Sequence, residues 1–166
     1  MFQSARANAM QIDFLSDHPY FIDSLAPALL DYWRFALPED TLEARKDRLR
    51  QHLNRKELPI AWVAHQGGEV YGTAALRMHD LEGRTDLSPW LGGVFVLPAF
   101  RRKGVGSALC MAVEHHAADE GVSKLFLFTI DQQSLYERLG WERIDGTSWR
   151  GFGGVIMAKS VLRSRQ

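Results

Sequence analysis

The chain has 166 residues, which is enough for one domain with a buried core and too few for two domains of ordinary size. Hydrophobic residues make up 46% of the sequence and charged residues 24%, a balance typical of a folded globular protein rather than a disordered one. The 20 basic residues equal the 20 acidic residues, so no basic excess points to nucleic acid as a partner.

The chain ends and the single cysteine bear on the compartment. Residues 1–9 are interpreted as a loose leader, residues 10–160 as one domain and residues 161–166 as a tail. The leader lacks the apolar run of a signal peptide, and no apolar stretch approaches the roughly 20 residues of a membrane span. Cys110 cannot form a disulfide within the chain, and its apolar helical surroundings predict a buried core thiol. We therefore expect a cytoplasmic protein without a membrane partner.

The first elements are a strand and a helix. Gln11–Leu15 alternates as a strand does, and Ser16 or Asp17 then offers a helix N-cap, with Pro19 as the opening of the helix. The helix continues until Pro38 stops it. Its apolar residues recur at helical spacing: Phe21, Leu25, Ala28, Leu29, Tyr32 and Trp33.

A second helix and three strands come next. The helix is more charged, and it is predicted to run from an N-cap at Asp40 or Thr41 to about Leu53. The three strands are Ile60–His65, Val70–Met78 and Trp90–Val96. The short turn Gln66-Gly67-Gly68 makes the first two strands a hairpin, and a polar loop at residues 79–89 precedes the third.

The last part of the chain alternates between helices and strands. One helix ends at Gly121, and its apolar face contains Val105, Ala108, Leu109, Ala112, Val113 and Ala117. Leu125–Thr129 is a continuous apolar run typical of a central strand, and a short helix at Ser134–Leu139 stops at Gly140. Two closing strands are predicted near Trp141–Ile144 and Val155–Ala158. The order β-α-α-β-β-β-α-β-α-β-β predicts an α/β domain with a mixed sheet.

The most informative segment is the turn Arg101-Arg102-Lys103-Gly104-Val105-Gly106, between a strand that ends before Pro98 and the next helix. A helix N-terminus presents free N–H groups and partial positive charge, and glycines let an anion approach the backbone closely. The basic residues add full charges, so the segment predicts a pyrophosphate cradle. The alternative is an ordinary tight turn. No Walker A or G-x-G-x-x-G pattern is present, which argues against a Walker-type nucleotide or NAD.

Two motifs identify a resemblance. The pattern V-x-P-x-x-R-x-x-G-x-G-x-x-L runs from Val96 through Leu109, and Leu135–Glu142 resembles a Y-E-x-x-G-(F/W) motif. Both motifs, and the element order from about Met10 to Lys159, resemble the GNAT superfamily of N-acetyltransferases. The resemblance implies an α/β (α+β) fold, with a mixed and mostly antiparallel central sheet of about seven strands flanked by about four helices.

The resemblance implies acetyl-CoA as co-substrate and no metal. The backbone of Val94, Phe95 and Val96 is expected to pair with the pantetheine arm. The pyrophosphate is expected to lie on the loop residues Arg101, Arg102, Lys103, Gly104, Val105, Gly106 and Ser107. The family's usual asparagine is replaced by Thr129, so Gln132 is nominated as a nearby polar contact. Gly92-Gly93 marks either a strand-splaying bulge or a simple packing accommodation.

The resemblance also suggests catalytic roles. Tyr136 matches a family tyrosine that acts as general acid toward the CoA thiolate, the alternative being a half-buried core tyrosine. An alkyl amine has a pKa of about 10.4, so the acceptor needs a base. The expected fourth-strand glutamate is missing from Trp90–Val96, and we nominate Asp80 and Glu82 of the preceding loop. His79 is another candidate base. The oxyanion would meet a backbone N–H at Val94 or Phe95.

The acceptor and the assembly are less constrained by the sequence. Family members build the acceptor pocket where this chain has Tyr32, Trp33, Phe35, Trp90 and residues 80–86, although Trp33 and Phe35 also fit as core residues. The expected reaction is direct attack by a small-molecule or peptide primary amine in a ternary complex, and a homodimer is left open. The alternative function is a non-catalytic acyl-CoA sensor or interaction module. The missing strand glutamate favours the sensor, and Tyr136 favours the enzyme.

Overall fold

Seven strands and four α-helices follow one another within residues 9–162, the part of the chain that the computed structural model describes. Residues 1–8 of the predicted leader and residues 163–166 of the predicted tail lie outside this part. The elements are β1 Gln11–Phe14, α1 Ile22–Tyr32, α2 Leu42–Arg50, β2 Ile60–Gln66, β3 Glu69–Arg77, β4 Trp90–Val96, α3 Val105–Asp119, β5 Lys124–Thr129, α4 Gln133–Arg138, β6 Glu142–Trp149 and β7 Phe152–Ser160.

The strands form one sheet in the order β1-β2-β3-β4-β5-β7-β6. Every neighbouring pair is antiparallel except β4 and β5, which run parallel. The predicted mixed, mostly antiparallel sheet with about four helices is thus confirmed. Alternation along β2 sends Trp62 into the core under α3, while Val63 enters a second core with Leu25 of α1 and Leu49 of α2.

The start of α1 differs from the prediction. Two 3-10 turns, Leu15–Asp17 and Pro19–Phe21, precede the helix, and neither Ser16 nor Asp17 caps it. Ser16 and Asp17 are part of the first turn, whereas a capping residue must stand immediately before the helix. The helix also ends at Tyr32, well before Pro38.

The start of α2 follows the prediction. The backbone N–H of Ala44 donates a 3.1 Å hydrogen bond to Thr41 Oγ1, so the predicted cap at Thr41 is confirmed. The helix itself ends at Arg50, three residues before the predicted end, although turn hydrogen bonds continue to Leu53.

β4 and β5 pair at one position and then separate. Trp90 pairs with Phe126, and within residues 9–162 no further register pair links the two strands. β4 also carries a bulge, because Thr73 faces Phe95 while Ala75 faces Gly92, which leaves one extra residue on β4. The bulge predicted at Gly92-Gly93 is therefore confirmed. It lies where the sheet opens.

The closing hairpin is longer than predicted. β6 and β7 pair from Glu142 with Ala158 to Trp149 with Phe152, whereas the sequence indicated only short strands. Most β6 side chains are exposed, so the strand lacks the alternation of apolar and polar residues that marks a half-buried strand. Among residues 9–162, no helix combines the length and apolar character that crossing a bilayer requires.

Candidate active site

A cavity of about 530 Å³ opens beside the β4 bulge, where β4 and β5 separate. Its walls come from α1, α2, the end of β3, the loop before β4 and the start of α4. Its lining includes many residues singled out from the sequence: Tyr32, Trp33, Phe35, His79, Asp80, Gly92, Gly93, Val94, Thr129, Gln132 and Tyr136. The fold therefore gathers a carboxylate, a phenol and a bulged strand around one space.

Asp80 brings a carboxylate to β4, which has no acidic residue of its own. An ideal Cβ added at Gly92 would lie 2.8 Å from Asp80 Oδ1, so the carboxylate sits directly against the bulge. Arg77 Nη1 donates a 2.7 Å hydrogen bond to the same oxygen. Glu82, the other nominated base, is exposed and does not line the cavity. His79 is exposed and does line it.

The Gly92-Gly93 pair fits both alternatives given for it, the bulge and the packing accommodation. Besides forming the bulge, Gly93 has a φ of +58°, and a Cβ there would meet Arg77 Nη2 at 2.8 Å. The glycines thus make room for the Arg77–Asp80 ion pair, and a side chain at either position would displace it.

His52 extends this network and was missed by the sequence analysis. Arg77 Nε donates to His52 Nε2 at 3.0 Å, and His52 Nδ1 donates to the Arg48 carbonyl at 2.7 Å. This pattern requires the neutral imidazole with its proton on Nδ1. Burial, with the adjacent Arg77 charge, lowers the pKa of His52 to about 4. No motif marks this residue, because its partners lie on other elements or on the backbone.

Tyr136 is buried in the cavity wall, with only 8% of its surface exposed, and packs edge-on against Trp141. Burial, followed by smaller contributions from neighbouring ionisable groups, raises its pKa well above the usual value for tyrosine. The hydroxyl is therefore protonated at neutral pH and can act as a proton donor. The neighbouring thiol of Cys110 is buried as predicted, and burial raises its pKa to about 12, which leaves it a poor nucleophile.

The predicted pyrophosphate loop forms the start of α3. Gly104 is the N-cap, with a left-handed φ of +78°, and the first helical bond runs from Ala108 N–H to the Gly104 carbonyl. The N–H groups of Val105, Gly106 and Ser107 precede that bond, so helix geometry leaves them without partners inside the helix. A Cβ at Gly104 would have no heavy atom within 4 Å. The space above the loop is open.

The charged side chains of this loop are not all free. Arg101 Nε donates to the Val96 carbonyl at 2.9 Å, and its guanidinium lies over the rings of Tyr32 and Phe95. Arg101 thus lies against the end of β4, and the Val96 carbonyl is already occupied. Arg102 and Lys103 are exposed.

The other residues predicted to contact the coenzyme lie in different surroundings. Val94 lines the cavity, whereas Phe95 is buried in the core beneath α1. Gln132 is the N-cap of α4, and its backbone N–H donates a 3.0 Å hydrogen bond to Thr129 Oγ1. Thr129 therefore stabilises the turn in which Gln132 stands.

Aromatic side chains form the outer wall. Tyr32, Trp33, Phe35 and Trp149 line the cavity, with Trp33 stacked on Phe35 at 5.8 Å. Phe35 is 54% exposed, so its core alternative is wrong, whereas Trp33 both lines the cavity and packs against the second core. Trp90 was wrongly assigned to this wall: it is fully buried, and its indole N–H donates to the Leu87 carbonyl.

Three potential metal ligands lie together away from the cavity. Asp13 Oδ2 is 2.7 Å from His65 Nε2 and 3.3 Å from His18 Nε2. None of the three lines the cavity. Hydrogen bonds between these groups account for the spacing without an ion.

Known proteins resemble this chain in sequence. Residues 22–141 match the sequence profile of the acetyltransferase (GNAT) family. An aminoglycoside N(6')-acetyltransferase type 1 of Salmonella typhimurium is 30% identical over 132 residues, covering 70% of this chain and 87% of that protein.

Solved structures share the fold at lower identity. An aminoglycoside 6'-acetyltransferase type Ii superposes with a TM-score of 0.72 at 20% identity, covering 93% of this chain and 99% of the other. An aminoglycoside 6'-N-acetyltransferase complexed with coenzyme A gives 0.71 at 17% identity, with 94% and 99% covered.

Proposed function

Because this chain belongs to the acetyltransferase (GNAT) family, we propose that it transfers an acetyl group from acetyl-CoA to the primary amine of a small molecule, by direct attack while both are bound. One observation carries the proposal. Asp80, Tyr136 and the β4 bulge line a single cavity at the point where the sheet opens. The sequence relative named as an aminoglycoside N(6')-acetyltransferase supports an amine as acceptor.

The start of α3 would hold the diphosphate of acetyl-CoA. The N–H groups of Val105, Gly106 and Ser107 are unused within the helix, and the space over Gly104 is open to a bulky anion. Arg102 and Lys103 add exposed positive charge beside them. The β4 edge at Val94 and Phe95 lacks a β5 partner, which leaves it available for the pantetheine arm, whereas the Val96 carbonyl already accepts from Arg101.

Asp80 would serve as the base that removes a proton from the acceptor ammonium, directly or through a water molecule. Its carboxylate lies against Gly92, and Arg77 holds it there through the 2.7 Å hydrogen bond. Arg77 is a positioning residue in this scheme, and neutral His52 orients Arg77 in turn through the 3.0 Å contact.

Tyr136 would serve as the acid. The amine nitrogen forms the new C–N bond with the acetyl carbon, the C–S bond breaks, and the phenol proton passes to the departing sulfur. The nitrogen gives up two protons: Asp80 takes the first from the ammonium before attack, and the second leaves the nitrogen through Asp80 to solvent as the C–S bond breaks. Tyr136 regains its proton from solvent, so one proton is released per acetyl group transferred. A backbone N–H at Val94 or Phe95 would stabilise the negative oxygen that develops during attack.

The test is release of the CoA thiol from acetyl-CoA over a panel of amines that includes an aminoglycoside. Tyr136→Phe and Asp80→Asn should each lower kcat by about 100-fold, the usual contribution of a positioned acid or base. Glu82→Gln is the matched control, because Glu82 lies on the same loop but outside the cavity, and it should leave kcat unchanged.

Two results would contradict the proposal. Tight coenzyme binding without turnover of any amine would favour the non-catalytic sensor. Loss of activity in Glu82→Gln, with activity retained in Asp80→Asn, would show that Asp80 is not the base.

A further inference from the structure

Three guanidinium groups line one wall of the cavity. Arg45 and Arg48 reach it from α2, and Arg77 reaches it from the end of β3. Arg45 lies 2.9 Å from Asp40 Oδ2, and Arg48 contacts the same oxygen. Two of the three arginines therefore share a single carboxylate, so the positive charge of Arg45 and Arg48 together exceeds the negative charge of Asp40.

The shared carboxylate lies behind the arginines. Asp40 does not line the cavity, and only 6% of its side chain is exposed. Arg45 is also nearly buried; its Nη2 pairs with Asp40, and its Nε finds no hydrogen-bond acceptor within residues 9–162. A guanidinium with unused donors is costly to bury, and an added anion would relieve that cost.

The opposing negative charge is small. Within the described part of the chain, the carboxylates that line the cavity are Asp80 and Asp131, and Arg77 already pairs with Asp80. Of the other loop acids that could attract a cation, Glu82 lies outside the cavity, and Asp86 is paired with Arg84. Apart from the Arg77–Asp80 pair, a polycationic acceptor would therefore meet two arginines that share the carboxylate of Asp40, and one unpaired carboxylate, Asp131.

We infer that the acceptor is a small amine that also carries a carboxylate, which Arg48 and Arg45 bind while the amine faces Asp80. This inference rests on the proposed acetyl transfer and names its substrate class. The planar guanidinium fork matches a carboxylate in geometry and charge. Arg77 and His52 link the two ends of the wall by hydrogen bonds, because Arg77 contacts Asp80 and His52 contacts the Arg48 backbone. The cavity volume is within the range of small-ligand sites.

Matched substrates test the inference. We would compare 4-aminobutyrate with propylamine, phenylalanine with phenethylamine, and both pairs with kanamycin, by CoA thiol release. In at least one pair, the carboxylate-bearing member should have a kcat/KM about 10- to 100-fold above its decarboxylated partner, the range of a charge-assisted contact. Kanamycin should be poorer than that substrate. Higher kcat/KM for both decarboxylated amines, or for kanamycin, would overturn the inference.

Variants on α2 localise the effect. Arg48→Gln should raise KM about 10-fold for the carboxylate-bearing substrate and leave KM for its decarboxylated partner unchanged. Arg50→Gln is the control, since Arg50 is a half-exposed arginine of the same helix that pairs with Asp47 and does not line the cavity. An equal effect of Arg48→Gln on both members of the pair would contradict a carboxylate contact.

A binding probe separates this inference from the proposed reaction. The amine-free acid 3-phenylpropanoate should quench the fluorescence of Trp33 and Trp149 on binding, while 3-phenylpropanamide should not. Binding of the acid should be lost in Arg48→Gln and kept in Arg50→Gln. Such binding without turnover of any amine would refute acetyl transfer and leave the carboxylate site standing. Turnover of amines without acid binding would refute the carboxylate site alone.

Discussion

His52 is held in its neutral form by its surroundings, and this has a measurable cost in acid. The folded protein gives its imidazole a pKa of about 4, against 6.5 for an unperturbed histidine. The unfolded chain therefore binds more protons between these two values. Above pH 6.5 this group costs no stability, and as the pH falls toward 4 the folded state loses free energy relative to the unfolded state.

The variant His52→Gln should remove this pH dependence while keeping one donor and one acceptor. Between pH 6.5 and 4, the wild-type protein should lose about 2–3 kcal/mol more unfolding free energy than the variant, since one pKa unit corresponds to about 1.4 kcal/mol. Urea unfolding at several pH values would measure this. Parallel curves for the two proteins would show that His52 does not titrate as described.

Individual site residues could be predicted from the sequence where they belong to a recognisable motif. Tyr136 was identified by its place in a motif, and the fold puts it in the cavity. Asp80 and Glu82 could not be told apart, because they stand two residues apart in a loop without a regular period that would fix their directions. His52 and Arg77 had no signal at all, since their contacts join segments 25 residues apart in the chain.

Helix α3 carries a left-handed glycine at each end, which offers a controlled test of the loop at the scale of an element. Gly104 has a φ of +78° at the N-cap, and Gly121 has a φ of +85° after the last turn. A Cβ at either position would have no heavy atom within 4 Å. The two glycines therefore share their backbone strain and differ in whether the coenzyme is expected beside them.

Gly104→Ala and Gly121→Ala should each lower the free energy of unfolding by about 1 kcal/mol, the cost of a left-handed alanine. Only Gly104→Ala should weaken coenzyme A binding, by about 10-fold, because strain at the N-cap moves the free N–H groups. Calorimetric titration with coenzyme A and thermal unfolding would measure both effects. Equal coenzyme affinity in the two variants would remove the loop from the binding site.

Elements were predictable to the extent that local pattern determines them. The Gly92-Gly93 pair indicated the bulge and Thr41 indicated its cap, since both depend on short-range chemistry. The cap at Ser16 or Asp17 failed because tertiary packing turned the chain twice before α1 began. The length of β6 could not be predicted, because an exposed strand paired on one side leaves little hydrophobic signal.

At the scale of the whole molecule, β4 and β5 divide the sheet into two parts that meet at Trp90 and Phe126. A ligand seated between the separated strand ends would contact both parts. The element order predicted a mixed sheet, but it did not indicate that the sheet divides between β4 and β5. The charge of the cavity was not predictable, because its arginines come from distant segments.

Coenzyme A should therefore stabilise the entire fold. At 100 times its Kd, a ligand that binds only the folded state adds about 2.7 kcal/mol, which for a chain of this size raises Tm by roughly 5–10 °C. Differential scanning calorimetry would measure the shift. Hydrogen exchange should slow along β4 and at the start of α3. An unchanged Tm at millimolar coenzyme A would contradict a coenzyme site between the separated ends of β4 and β5.

The buried state of Cys110 has a practical consequence for all of these assays. It is the single cysteine of the sequence and only 1% of its surface is exposed, so the folded protein offers almost no sulfur to a chromogenic disulfide reagent. Colour developed during turnover will thus report liberated coenzyme with little background. A cysteine engineered on the surface would likewise accept a spectroscopic label at that one position.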